Sequence, residues 1–296
     1  MVYSTSLNTY HSFTLKVNVA MKNIISAGLF FTMTISSMSV SANIGDYKIM
    51  TWNLQGSSAA GENKWNINVR QLVTGMDGAD ILMVQEAGSV PATAMLTGRQ
   101  IQPVGVGIPI EEYTWNLGTT RRPDIRYIYF SRVDVGANRV NLAIVSRQRA
   151  EQVFVVRPAT VASRPVIGIS LATDVFLTTH ALASGGPDAL AIVRTVNEFF
   201  NQSSRLGYSW LLAGDFNRAP ARLENDLILE RLDRSVTVVA PAVATQSSGG
   251  TLDYGVIVDR SPSATLLGAT ISFGNMASQL SSDHLPVLFN SALRKK

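Results

Sequence analysis

Apolar residues in this chain come in short runs that stop abruptly at polar residues. Runs of four or so, rich in β-branched side chains, occupy residues 81–84, 127–130, 142–145, 166–169, 175–177, 210–213, 256–258 and 287–289. Their length and composition predict strands rather than helices. Two stretches read instead at helical spacing. From Pro187-Asp188 onward, Ala189, Ile192, Val193, Val196, Phe199 and Phe200 fall on one face, with Gly185-Gly186 as the preceding turn and Pro187 in the first turn. A second helix is predicted over residues 223–232 and a weaker one over 66–72. Many strands and few helices predict an α+β fold in which two sheets pack together with helices on their outer faces.

Several runs end in a polar island. Residues 47–50 lead into Thr51-Trp52-Asn53-Leu54-Gln55-Gly56, residues 81–84 into Gln85-Glu86, and residues 210–213 into Gly214-Asp215-Phe216-Asn217. Residues 174–177 end in Thr178-Thr179-His180, and Ser282-Asp283-His284 precedes the last apolar run. A carboxylate or amide at the end of a buried strand is costly unless it is satisfied. Repeated at several strand ends, the pattern predicts one polar cluster at one edge of the sheets. Glu86 is the best candidate ligand for Mg²⁺ or another hard divalent cation, with Asn53 offering an amide oxygen and Asp283 a second carboxylate. A lone Glu after a strand is more often a surface ion pair, so the weight lies on the group.

Histidine is scarce: only His11, His180 and His284 occur, and the last two sit in polar islands. Imidazole moves protons near neutrality. Asp253, which opens another apolar run, is a candidate to orient one of them. Asp215 and Asn217 alternate around Phe216, and in an extended segment both would face the same side. A metal, two imidazoles and a carboxylate that positions water suit hydrolysis of a phosphate ester.

Composition narrows the setting. The chain has 296 residues, 46% hydrophobic and 16% charged, and no Cys. It is long enough for a large core, which must form without disulfides. The first 42 residues contain no acid, and Met21-Lys22-Asn23 opens an uncharged run from Ile24 to Val40 that closes in Ser41-Ala42. This predicts an upstream extension and secretory signal over residues 1–42, cleaved after Ala42, with a single domain over 43–296 and no integral membrane anchor. Removing residues 1–42, which hold only Lys16 and Lys22 as formal charges, lowers the net charge from +4 to +2. Such a balance does not itself point to nucleic acid. The arginines at 121, 122, 126 and 132, and at 139, 147 and 149, read mainly as solvated surface.

The order of these islands resembles that of the endonuclease/exonuclease/phosphatase superfamily, which includes DNase I. More closely, residues 51–58, 80–88, 111–119, 134–149, 163–169, 180–186, 214–218 and 252–258 resemble the family of catalytic subunits of cytolethal distending toxins, including its typhoid-toxin form. The resemblance spans 44–290. It implies a four-layer α/β/β/α sandwich of the DNase I-like type. It further implies Glu86 as metal ligand with Asn53 and Asp283 beside the metal, and His180 and His284 as the catalytic pair. Asp215 and Asn217 position nucleophile and phosphate, Asp253 orients the second histidine, and Arg164 and Arg126 contact DNA phosphates. Two departures stand out. DNase I has a glutamate behind its first histidine, and no acid occurs in residues 126–130 here. The typhoid-toxin form uses a terminal Cys to join its partner, whereas this chain ends Leu293-Arg294-Lys295-Lys296.

The resemblance therefore implies the catalytic subunit of a secreted bacterial genotoxin, a Mg²⁺-dependent deoxyribonuclease that acts on DNA in the host nucleus and causes DNA damage and cell-cycle arrest. Delivery is expected to depend on noncovalent cell-binding subunits. Two rival readings are a phosphatidylinositol phosphate phosphatase with the same core chemistry and a catalytically dead binding protein.

Overall fold

The computed structural model describes residues 43–56, 64–133, 139–262, 264, 266–273 and 281–291. The expected signal segment and the basic C-terminal residues lie outside them. All described residues belong to one compact unit, Val40–Lys296. No helix among them is long and apolar enough to cross a membrane.

The strands, numbered in chain order, are β1 (Ile49–Asn53), β2 (Ile81–Gln85), β3 (Met95–Leu96), β4 (Val104–Gly105), β5 (Glu111–Asn116), β6 (Ile125–Ser131), β7 (Leu142–Ser146) and β8 (Gln152–Val156). They continue as β9 (Val166–Leu171), β10 (Asp174–His180), β11 (Ser209–Asp215), β12 (Thr237–Val239), β13 (Asp253–Val258), β14 (Leu267–Ile271) and β15 (Val287–Ser291). One sheet of eight runs β14-β15-β1-β2-β7-β6-β5-β3, and one of seven runs β12-β13-β11-β10-β9-β8-β4. Lys64–Val69 winds as a π-helix that continues into the short α1 (Arg70–Val73), and the longer helices are α2 (Ala189–Phe200) and α3 (Pro220–Leu229).

Three apolar clusters explain the layering. Alternate residues of facing strands, among them Ile49, Ile81, Met83 and Ile144 from one sheet and Phe176, Leu211 and Ala213 from the other, fill the space between the sheets. The other parity of the first sheet, with Trp52, Leu82, Val84 and Val145, packs on Trp65, Val69 and Leu72. The outer face of the second sheet, with Val175, Leu177, Trp210 and Leu212, packs on Ile192, Val193, Val196, Phe200 and Leu223. These are the four layers of the expected α/β/β/α sandwich.

Period-2 alternation also decides where the polar islands fall. Continuing the inward rows to the strand ends puts Thr51 and Asn53 on β1, Gln85 on β2, Thr178 and His180 on β10, and Asp215 on β11 between the sheets. Register aligns these ends. Asn53 lies opposite Gln85 across the parallel β1–β2 pair. His180 lies opposite Asp215 across the parallel β10–β11 pair. Asp215 in turn lies opposite Asp253, the first residue of antiparallel β13. The inter-sheet core thus turns from apolar to polar at one pole. Beneath that pole Gln85 Nε2 donates to Thr178 Oγ1 at 2.8 Å and to Thr51 Oγ1 at 3.0 Å, joining the two sheets by hydrogen bonds in a buried layer.

Candidate active site

At that pole a cleft of about 400 Å³ is lined by Glu86, His180, Asp215, Asn217 and His284, with Arg139 and Arg164 among its borders. Asp215 sits at its centre and is buried. Its Oδ2 accepts from Asn53 Nδ2 at 3.0 Å. The same oxygen lies 3.7 Å from His180 Nε2 and 3.8 Å from His284 Nε2. Its Oδ1 accepts from the Asn217 backbone N–H at 2.8 Å. Burial, then the charge of Asp253, pushes the Asp215 carboxyl up, while His284 and the two hydrogen bonds pull it back.

The two histidines are held in opposite states. His284 Nδ1 lies 2.8 Å from Asp253 Oδ2, a carboxylate with no exposure to solvent. Burial opposes charge on His284, yet the Asp253 hydrogen bond and the fields of Asp253, Asp215 and Asp283 prevail and push it up to about 9. His180 is nearly fully buried, and its Nδ1 has no hydrogen-bond partner among the described residues. This is where DNase I-like relatives were expected to place a glutamate. Burial first, then Arg164 and His284, lowers His180 to about 3. One ring stays neutral and the other stays charged across the neutral range.

The other expected residues divide. Asn217 is brought to the cleft, but not by an extended segment. It has φ +49°, and its Nδ2 donates to the Ala181 carbonyl at 3.1 Å. Arg164 borders the cleft, with Nη1 donating to the His180 carbonyl at 3.0 Å. Asn53 acts on Asp215 as described, and its Oδ1 accepts from the Gln55 N–H at 2.8 Å. Asp283 is half-buried, with Oδ2 accepting from Gln246 Nε2 at 3.1 Å and Oδ1 3.9 Å from His284 Nε2. Arg126 is a correction. It pairs with Trp115 near the start of β6, at the level of the β2 start, so it belongs to the opposite pole. There its buried guanidinium donates through Nε to the Val73 carbonyl at 2.9 Å and pairs with Asp124, so it is structural.

Two places have the chemistry to hold a cation. Ligand atoms of Asp215, Asp253 and His284 lie within 4.8 Å of one another. A hard cation, however, prefers oxygen donors to an imidazole, and His284 Nδ1 is already engaged with Asp253 Oδ2 at 2.8 Å. Glu86 suits a hard cation better. It follows β2 in a left-handed turn at φ +46°, borders the cleft, and its Oε1 lies 3.9 Å from His180 Nε2. Gly56 makes this approach possible, because a Cβ there would lie 1.9 Å from the Glu86 carbonyl oxygen. A residue not singled out by its motif also belongs here. Lys64 is buried, and its Nζ donates to the Leu54 carbonyl and, at 2.9 Å, to the Gln55 carbonyl. The available signal was the spacing of Lys64 and Asn68, four residues apart beside the apolar row Trp65, Val69 and Leu72.

A buried acid–base cluster joined to a hard-oxygen donor, at one pole of a two-sheet sandwich, defines a hydrolase acting on phosphodiesters. The chain belongs to the Endonuclease/Exonuclease/phosphatase family, whose model matches residues 50–284. Within that family it groups with the catalytic chains of cytolethal distending toxins, their B subunits. It is 67% identical over 248 residues to the homolog of that toxin chain in Salmonella typhi, covering 84% of this chain and 90% of that protein. Against the corresponding toxin chain of Escherichia coli it is 48% identical over 252 residues, covering 83% and 92% of the two chains. The crystal structure of the Haemophilus ducreyi cytolethal distending toxin superposes with a TM-score of 0.78 at 52% identity, covering 84% of this chain and 99% of that one.

Proposed function

We propose that this chain is the catalytic component of a secreted bacterial genotoxin and that it cleaves DNA phosphodiesters with Mg²⁺ or a similar divalent cation. The observation that carries this reading is the meeting of His180, His284 and Asp215 at one cleft bordered by Arg139 and Arg164. Asp215, raised by burial, is suited to take a proton from the attacking water. His284, kept charged by Asp253, is suited to give a proton toward the leaving oxygen. Neutral His180 directs Nε2 toward the same space and stabilises charge building on the phosphoryl oxygens. Arg164 and Arg139 draw the DNA backbone to the cleft without reading bases. Glu86, with Asn53 and Asp283 beside it, would hold the cation, which supplies positive charge to the reacting phosphate.

The test is nicking of supercoiled plasmid with and without Mg²⁺, beside an assay for phosphate release from phosphoinositide. Nicking that requires the cation and exceeds lipid turnover is expected. Glu86→Gln should move the Mg²⁺ titration to higher concentration as well as lower the rate. An unmoved titration midpoint removes Glu86 from the cation site.

Two further proposals concern the setting. The signal pattern motivates export with cleavage after Ala42, leaving 43–296 as one domain. The lack of Cys motivates noncovalent partners for delivery to the host nucleus. Mass spectrometry of the exported chain is expected to find Asn43 first, and the purified chain added outside cells is expected to do little damage compared with chain introduced inside. A retained 21–42 segment overturns the first proposal, and potent entry by the chain alone overturns the second.

A further inference from the structure

Lys64 has no place in the chemistry above, yet it is built into the cation side of the site. Only 5% of it is exposed. A buried ammonium normally sits against a carboxylate. Among the described residues none lies within ion-pair distance of Nζ, which is instead gripped by the carbonyl oxygens of Leu54 and Gln55. Those carbonyls belong to the loop leaving β1, and that loop touches both acids assigned to the cation. Gly56 lies against the Glu86 backbone so closely that no Cβ fits between them. Gln55 Oε1 accepts from the Asp283 N–H at 3.2 Å. The next residue fixes the start of the helix. Trp65 Nε1 donates to the Ala87 carbonyl at 2.9 Å, and its ring meets Trp115 edge-on at 6.0 Å. Burial lowers the pKa of Lys64, and Glu86 and Asp283 are the charges that oppose this effect.

We propose that Lys64 is a resident counter-cation, a positioning residue that holds the β1 loop against Glu86 and Asp283 and competes with the divalent cation for their negative charge. This rests on the reading that Glu86 binds the cation. Two carbonyl oxygens, on a loop that contacts Glu86 and Asp283, form an oxygen-rich setting of the kind a hard cation takes. Part of its negative charge is already balanced. A divalent ion must therefore bind against one fixed positive charge in a partly desolvated place, where such repulsion is only weakly screened.

The experiment measures Mn²⁺ binding to the full chain without DNA, counting free Mn²⁺ by its paramagnetic resonance signal. Lys64→Gln and Lys64→Met, which remove the charge, are expected to bind Mn²⁺ about ten-fold more tightly than wild type, the order expected for one unit charge near the site. Lys64→Arg, which keeps the charge, is expected to stay near wild type. Glu86→Gln separates the two readings. If wild type shows no saturable binding that Glu86→Gln weakens, the cation assignment itself fails. If that binding is present but unchanged or weaker in Lys64→Gln and Lys64→Met, only the counter-cation role fails. Circular dichroism checks that the variants fold. Collapse of both neutral variants would make Lys64 a structural anchor and likewise overturn the proposal.

Discussion

His180→Gln is expected to reduce plasmid nicking by about 100- to 10,000-fold, the usual span for loss of a proton-handling or charge-stabilising side chain. His180 Nε2 faces two of the site's carboxylates, at 3.9 Å from Glu86 Oε1 and 3.7 Å from Asp215 Oδ2. Glutamine offers an amide of similar reach, but it cannot reproduce the position and direction of the ring's Nε2. The fold should survive, because Nδ1 has no hydrogen bond to lose among the described residues. Stability then provides a second reading. Burial holds the His180 pKa at about 3 against an ordinary 6.5, so between those values the unfolded chain binds a proton that the folded chain refuses. This residue therefore makes wild type lose stability as pH falls through that window. His180→Gln should flatten that loss, measured as thermal midpoint against pH. A folded variant that nicks at the wild-type rate removes His180 from the chemistry.

Much of the site was legible because alternation in a strand is rigid. Once residues 81–84 and 210–213 are read as buried strands, the parity of Gln85 and Asp215 follows, and with it the face they share. The sandwich class followed from the same runs. Of the six strands not singled out, β3, β4, β12 and β14 lie at sheet edges with one paired neighbour each, where the pattern of apolar residues weakens, and β5 and β8 each lie one place in from such an edge. Arg126 shows the opposite failure. Its membership of a strand was legible, but which end of that strand meets the cleft depends on the antiparallel pairing of β6 with β7, which no local pattern specifies. Lys64 was missed because a single lysine in a helix normally marks the solvated face. Its burial comes from contact with a loop ten residues earlier in sequence. The charge states of His180 and His284 were also beyond the sequence, since both follow polar residues and only packing separates the orphaned ring from the paired one.

That separation is tested most directly at Asp253. Asp253→Asn is expected to reduce nicking at neutral pH by about 100- to 10,000-fold while leaving His284 in the cleft. The wild-type carboxylate accepts from His284 Nδ1 at 2.8 Å with both groups buried. Burial alone would favour the neutral ring, and the Asp253 hydrogen bond and charge reverse that preference. Asparagine keeps the shape and removes the charge, so the His284 pKa should fall from about 9 to well below it. The sign follows from linkage. In wild type the stabilisation from charging His284 is complete below the unfolded value near 6.5 and disappears as pH rises through about 9. The variant should therefore lose thermal stability relative to wild type at about pH 6, and the gap should narrow above about pH 9. Activity should move in the same sense. The alkaline limb of the rate profile, expected in wild type near 9 from loss of the His284 proton, should shift to lower pH, so that part of the lost activity returns in mildly acidic buffer. A variant whose alkaline limb stays where wild type has it would show that Asp253 does not act through the charge on His284. In that case the proton for the leaving oxygen must come from another group.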